Sequence, residues 1–194
     1  MEGIFSAFGL SASAGLNAYI PMLIVALVAK FTKLIELQEP WDALSSWWII
    51  GLLLVLSVVE FFADKVPALN HVNDIIQTVI RPTAGAILFA ASADAVTNVH
   101  PVLSLAAGLL VAGGVHAAKA GAVRPAVTAT TAGTGNIFVS VLEDIISTVV
   151  SILAILLPVF LGFLLALSTA WLIWFLWRRR TRKLARAEAR RNIR

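Results

Sequence analysis

The sequence predicts an all-α, polytopic membrane helical bundle: about five full spans, two short re-entrant or interfacial helices, and an internal repeat. Three observations carry this expectation. Hydrophobic residues make up 59% of the 194-residue chain and charged residues only 13%, about half the charged share of a soluble domain. The apolar residues come in blocks, and about 20 such residues are enough to cross a bilayer. The few ionisable groups gather where one block ends and the next begins, above all between Val59 and Arg81.

The charge is lopsided. From Arg178 onward nine Lys or Arg face one acid, Glu188, which leaves six bases and ten acids in residues 1–177. The net +4 therefore divides into −4 for the body and +8 for the tail. Residues 1–177 read as a transmembrane domain and 178–194 as a basic tail kept on the cytoplasmic side by the positive-inside rule. A basic block flanked by a membrane helix argues against nucleic acid as its partner. The chain has no cysteine, so disulfides and thiolate metal sites are excluded. Met1-Glu2-Gly3-Ile4 lacks the basic start of a signal peptide, so residues 4–29 read as a retained first helix.

That first span holds the small-residue run Ser11 to Gly15, which lets a neighbouring backbone come close. Pro21 removes a backbone donor and should bend or interrupt the helix. Asn17, a polar amide near mid-span, suits an interhelical hydrogen bond or a site at a helix break. Residues 30–46 form a polar link, with Trp41, Trp47 and Trp48 as an interfacial belt. The second span runs from Trp47 to about Ala63 and carries Glu60 and Asp64 near one face of the bilayer.

Residues 66–81 are too polar and too short for a span. Pro67 resets the chain, and Val72–Ile80 reads as a re-entrant or interfacial helix, tolerated at depth only where protein or water covers it. Thr83–Val96 is the third span. The fourth runs from about Val102 to Ala120, with Gly108, Gly113 and Gly114 as close-packing positions. Residues 128–136 are small and hydroxyl-rich and read as a loop or extended lining segment. Ser140–Val150 is the second short helix, with Glu143 and Asp144 at its start, where acids suit the helix dipole. A last span reaches Trp177, with Pro158 as a break point. With the tail inside, five spans put the N-terminus outside, residues 30–46 inside, and residues 64–82 and 121–150 outside.

Asp74-Ile75-Ile76-Gln77-Thr78-Val79 matches Asp144-Ile145-Ile146-Ser147-Thr148-Val149 at five of six positions. This suggests repeat units 47–98 and 102–177, and transporters place their sites at such repeat interfaces. A weaker echo aligns Asn17 with Asn136. The charged ends then converge: Glu60, Asp64, Lys65 and Asp74 from one unit face His116, Lys119, Arg124, Glu143 and Asp144 from the other. Asn17 and Asn136 would supply neutral ligands at helix breaks.

Ionisable groups at membrane depth are costly and usually functional. The expected function is a small integral membrane transporter or channel-like protein moving a proton, a cation or a small solute. The alternative is a non-transporting scaffold or assembly factor whose charges are structural, since snorkelling is cheap near span ends. A lipid-modifying enzyme is the weaker alternative. The histidines (71, 100, 116) form no paired motif, and no nucleophile elbow, P-loop or dinucleotide fingerprint is present. No catalytic activity, cofactor or metal is expected. The expected partners are the lipid bilayer and a small solute or ion, and so few spans are compatible with a homodimer.

The patterns Gly15-Leu16-Asn17-Ala18-Tyr19-Ile20-Pro21, Glu60-x3-Asp64-Lys65-x-Pro67, Arg81-Pro82, His116-x2-Lys119, and Gly135-Asn136 followed by Ser140 and Glu143-Asp144 resemble the bacterial membrane family DUF4126. The resemblance covers most of the chain up to the last span and leaves the basic tail outside. It implies a small multi-pass inner-membrane protein with no established activity.

Overall fold

Asn17 divides the first apolar run. In the computed structural model, helix α1 (Glu2–Leu16) stops just before it and α2 (Tyr19–Phe31) starts just after it. Among the described residues up to Leu156, five further α-helices follow: α3 (Trp47–Ala63), α4 (Pro67–Asp94), α5 (Pro101–Ala118), α6 (Arg124–Thr131) and α7 (Gly135–Leu156). The structure describes residues 2–63, 67–94, 100–158, 160, 163–164, 166–175 and 177–178, without the side chains of 2, 67–72, 74 and 94. The described residues form no strand.

Residues 4–29 are not one span. At 1.5 Å per residue α1 is about 22 Å long and α2 about 20 Å, each short of a 30 Å hydrocarbon layer. The break falls at Asn17, not at Pro21, because Asn17 Oδ1 accepts from the backbone N–H of Tyr19 and of Ile20 at 3.1 and 3.0 Å. Those are orphan donors that a helix start must satisfy. Pro21 then lies in the first turn of α2, where its missing N–H costs nothing. The chain turns back on itself there: Lys33, Leu34, Ile35 and Glu36, which follow α2, line the same cavity as Gly3 and Ser6 of α1. The N-terminal helix start and the 30–46 link therefore share one end of the bundle, contrary to the sidedness that five spans would impose.

Three segments, and not five, are long and apolar enough to cross a membrane among the described residues: Ile75–Ala93, Pro101–Thr131 and Gly135–Leu156. The expected short helix before Arg81 and the span after it are one continuous α4, with Pro82 inside it. Its polarity at Gln77 and Arg81 faces inward, both being buried, while Ile75, Ile76 and Val79 face out. The expected 128–136 loop is mostly helix. Thr130 and Thr131 hydroxyls return hydrogen bonds to the carbonyls of Ala126 and Val127 at 2.9 and 2.7 Å, so the threonines serve their own helix. The chain reverses only at Ala132 and Gly133, with φ of 51° and 89°. Consequently Glu143 and Asp144 sit in the interior of α7, not at a helix start. That helix ends at Leu156, ahead of the conformational restriction imposed by Pro158.

Helix α1 is the centre. It packs on α4, α5 and α7, with Ala7 against Phe89 and Ala93 in the apolar core. Hydroxyls staple it: Ser11 Oγ donates to Gly108 O at 2.8 Å, Ser6 Oγ to Ala154 O at 2.7 Å, and Ser13 Oγ to Ser147 O at 3.0 Å. Lipid offers no hydrophobic drive between helices, so small residues and hydroxyls hold them instead. Of the three glycines expected at close contacts, only Gly108 has that role: a Cβ there would stand 2.6 Å from Phe89 Cβ, whereas at Gly114 it would meet nothing within 4 Å. At Gly113 the nearest atom, from Pro82, is at an ordinary 3.7 Å.

These helices belong to a first compact unit, Met1–Leu161; a second comprises Gly162–Arg194. The second contains the apolar helix Ala166–Phe175, in which Trp171 stacks on Phe175 with centroids 5.4 Å apart. Arg178 lies 5.0 Å over the Trp174 ring. Residues 179–194 of the basic tail lie outside the described residues.

Candidate buried charge network

The tip of the α1–α2 hairpin reaches the middle of the long helices, and the charges meet it there. Arg81, Lys119 and Glu143 stand at the 15th of 28 residues of α4, the 19th of 31 in Pro101–Thr131 and the 9th of 22 in α7. All three are buried. The expectation that such groups lie at span ends, free to snorkel, is overturned for His116 and Lys119, because their helical run continues to Thr131. Glu60 does stand near the end of α3, as its 14th residue of 17, but it is buried.

Two groups of contacts form the network. In the first, Arg81 Nη2 donates to Glu60 Oε1 at 2.8 Å, and Arg81 Nη1 lies 3.3 Å from His116 Nδ1. Since arginine only donates, Nδ1 must accept, which leaves the imidazole proton on Nε2, 3.2 Å from Thr78 Oγ1. Tyr19, at the start of α2, stands beside Gln77 and within electrostatic reach of Glu60 and Arg81. In the second, Lys119 Nζ lies 2.7 Å from Glu143 Oε2 and donates to the carbonyl of Leu16 at 3.1 Å. Arg124 Nη2 approaches the same Glu143 oxygen at 3.5 Å. Arg81 and Lys119 are close enough to interact electrostatically, so the two groups are neighbours.

Local backbone explains why two cations reach one oxygen. Residues Lys119–Val123 form a π turn, closed by the Arg124 N–H on the Lys119 carbonyl. In an α-helix residues five apart point in different directions; an i→i+5 turn stacks them on one face. The widened turn thus aligns Lys119 and Arg124 towards α7.

Asn17 joins the hairpin to α7 by donating from Nδ2 to Asp144 Oδ1 at 2.9 Å. Of the residues expected at the site, Asn17, Glu60, His116, Lys119, Arg124, Glu143 and Asp144 come together. Asn136 does not: it opens α7 and donates to Thr128 Oγ1 at 2.9 Å across the turn. Asp64 and Lys65 lie outside the described residues, as does the side chain of Asp74. Sequence reasoning counted Arg81 in the charged stretch and in the Arg81-Pro82 motif but left it out of the site, and it missed Gln77, Thr78 and Tyr19 as site residues. A helical reading of 67–94 would have found Arg81, because Gln77 and Arg81 are four apart and share one face. Among the described residues no three His, Asp or Glu side chains are grouped to hold a metal.

The sequence profile of the domain of unknown function DUF4126 matches residues 4–179. The chain belongs to this family. No curated protein and no solved structure matches it. The family's match ends one residue beyond Arg178, so most of the basic tail lies outside the matched region.

Proposed function

We propose that this DUF4126 member is a small integral membrane transporter or channel-like protein, with its solute site at the charge network. One observation carries the reading: a hairpin of two half-length helices ends at mid-length of the long helices, among three buried cations and two buried carboxylates. Well-packed apolar residues hold helices together at lower cost than buried ions. Charges kept at the middle of apolar helices therefore point to work beyond packing, and broken helices are how transporters present backbone ends to a solute at the midplane. The burial pattern also supports a repeat: Gln77 and Ser147, equivalent in the two matched hexapeptides, are both buried beside exposed isoleucines. The solute is a proton, a cation or a small polar molecule. The basic tail suits the cytoplasmic face of a plasma membrane.

Reconstituted into proteoliposomes, the protein should move such a solute, and Glu60→Gln should abolish flux while the protein remains folded and monodisperse. Unchanged flux removes Glu60 from the mechanism. A second reading, a scaffold whose ions only lock the helices, is favoured by how closely the network is paired. It predicts no flux under any gradient and a loss of stability alone in Glu60→Gln.

A further inference from the structure

We propose that the Leu16 carbonyl and the Glu143 carboxylate form a monovalent-cation site, and that the Lys119 ammonium fills it as a tethered occupant. This deepens the transport reading and rests on it, by naming the class of ion that the network takes.

Lys119 is buried, with 3% of its side chain exposed, and its ammonium is clasped from two sides by oxygens alone. Glu143 Oε2 lies at 2.7 Å and Leu16 O at 3.1 Å. Leu16 is the last residue of α1. The final carbonyls of a helix lack intrahelical partners and carry the negative end of its dipole. An ordinary helix leaves that end in water; here the hairpin delivers it to the middle of the bundle, where something positive must answer it. A carbonyl oxygen and one carboxylate suit a single positive charge. A divalent ion would leave a positive charge unbalanced beside that one carboxylate, with Arg81 and Arg124 already close by. A lysine ammonium is itself a compact monovalent cation with donors in all directions, so it stands where a sodium, potassium or ammonium ion would.

The position of Lys119 also favours exchange. It opens the π turn, and such turns are frequent at functional sites. Arg81 and Arg124 crowd the same space with like charge, so the ammonium is not held by attraction alone. Arg124 is the rival occupant, at a longer 3.5 Å from the same oxygen.

The test is cation-dependent stability of Lys119→Ala in detergent, followed by thermal unfolding in choline, ammonium, ethylammonium, sodium and potassium chlorides. Wild type should unfold at one midpoint in all five salts. Lys119→Ala should unfold lower in choline, and its midpoint should rise and saturate with the small cations. The double variant Lys119→Ala/Glu143→Gln should not respond. A Lys119→Ala midpoint equal in choline and in every small cation overturns the proposal, including the case in which Arg124 takes over Glu143. If Lys119→Ala does not fold, Lys119→Cys serves. Its thiol is the only one in a chain without cysteine, so an aminoethyl methanethiosulfonate restores an ammonium there while the uncharged ethyl reagent does not. Recovery with the charged reagent alone supports the site, and equal recovery with both overturns it. The readout is binding, so it separates from transport. A cation response without flux keeps the site and removes the transport reading, and flux without a cation response does the reverse.

Discussion

Arg81 donates to Glu60 at 2.8 Å with side-chain exposures of 0% and 1%, and this pair ties α3 to the bundle. Helix α3 is peripheral: of its 17 residues only Ile50, Leu53 and Glu60 are buried. Removing one partner of a buried pair strands the other charge and costs about 3–5 kcal/mol, whereas removing both is far milder. Arg81→Met and Glu60→Gln should each lower the thermal midpoint in detergent. The double variant should be more stable than the sum of the two losses implies. Additive losses in this double-mutant cycle would mean that the two side chains do not act as a pair.

The hairpin corner gives a second prediction. Asn17 caps α2 through Oδ1 and binds Asp144 through Nδ2, so one amide serves two helices with its two ends. Losing a cap costs about 0.5–2 kcal/mol, and the lost Asp144 contact adds to it. Asn17→Ala should therefore be more destabilising than Asn17→Ser, which keeps a capping oxygen. Asn17→Asp keeps the cap but turns a carboxylate towards Asp144, so it should be worse than Asn17→Ser. Chemical or thermal denaturation of the three variants checks that order.

A third prediction separates glycines that look alike in the sequence. A Cβ at Gly108 would press on Phe89 Cβ and on the Ala86 backbone at 2.6 and 2.7 Å. Backbone and Cβ atoms cannot swing aside, so Gly108→Ala forces α4 and α5 apart at a cost of about 1–3 kcal/mol. Gly114→Ala meets open space and gains helix propensity, so it should be neutral or slightly stabilising. Equal effects of the two substitutions on the unfolding midpoint would contradict the α4–α5 packing.

How much of this was legible beforehand depends on where the polar groups point. The helical class follows from composition, the family from the resemblance of its motifs, and the meeting of Glu60 with His116, Lys119, Glu143 and Asp144 from the matched hexapeptides that set charged ends against each other. The span count does not. Residues 67–81 look too polar to be membrane helix, yet Gln77 and Arg81 spend that polarity inside the bundle, and Pro82 is tolerated because neighbouring helices can satisfy the freed backbone. A break at Asn17 is one of two readings of that amide, but its consequence is hidden for the opposite reason: residues 4–29 are mostly apolar, and hydropathy cannot tell one crossing from two half-crossings. The π turn after Ala118 leaves no trace in composition at all. It is nonetheless what places Arg124 with Lys119.

His116 yields the last prediction, which concerns a proton. Its Nδ1 faces the Arg81 guanidinium at 3.3 Å and its Nε2 faces the Thr78 hydroxyl at 3.2 Å. A guanidinium has no lone pair to offer, so the arginine contact demands an unprotonated Nδ1. The hydroxyl can accept from Nε2–H, so geometry selects the neutral Nε2–H tautomer. Nitrogen-15 spectra of the histidine-labelled protein should show for His116 a protonated Nε2 and an acceptor Nδ1. In Arg81→Met the constraint on Nδ1 is gone, and the resonances should shift towards a mixture of tautomers. An Nδ1–H tautomer in the wild type would mean that Arg81 is not the group orienting the ring.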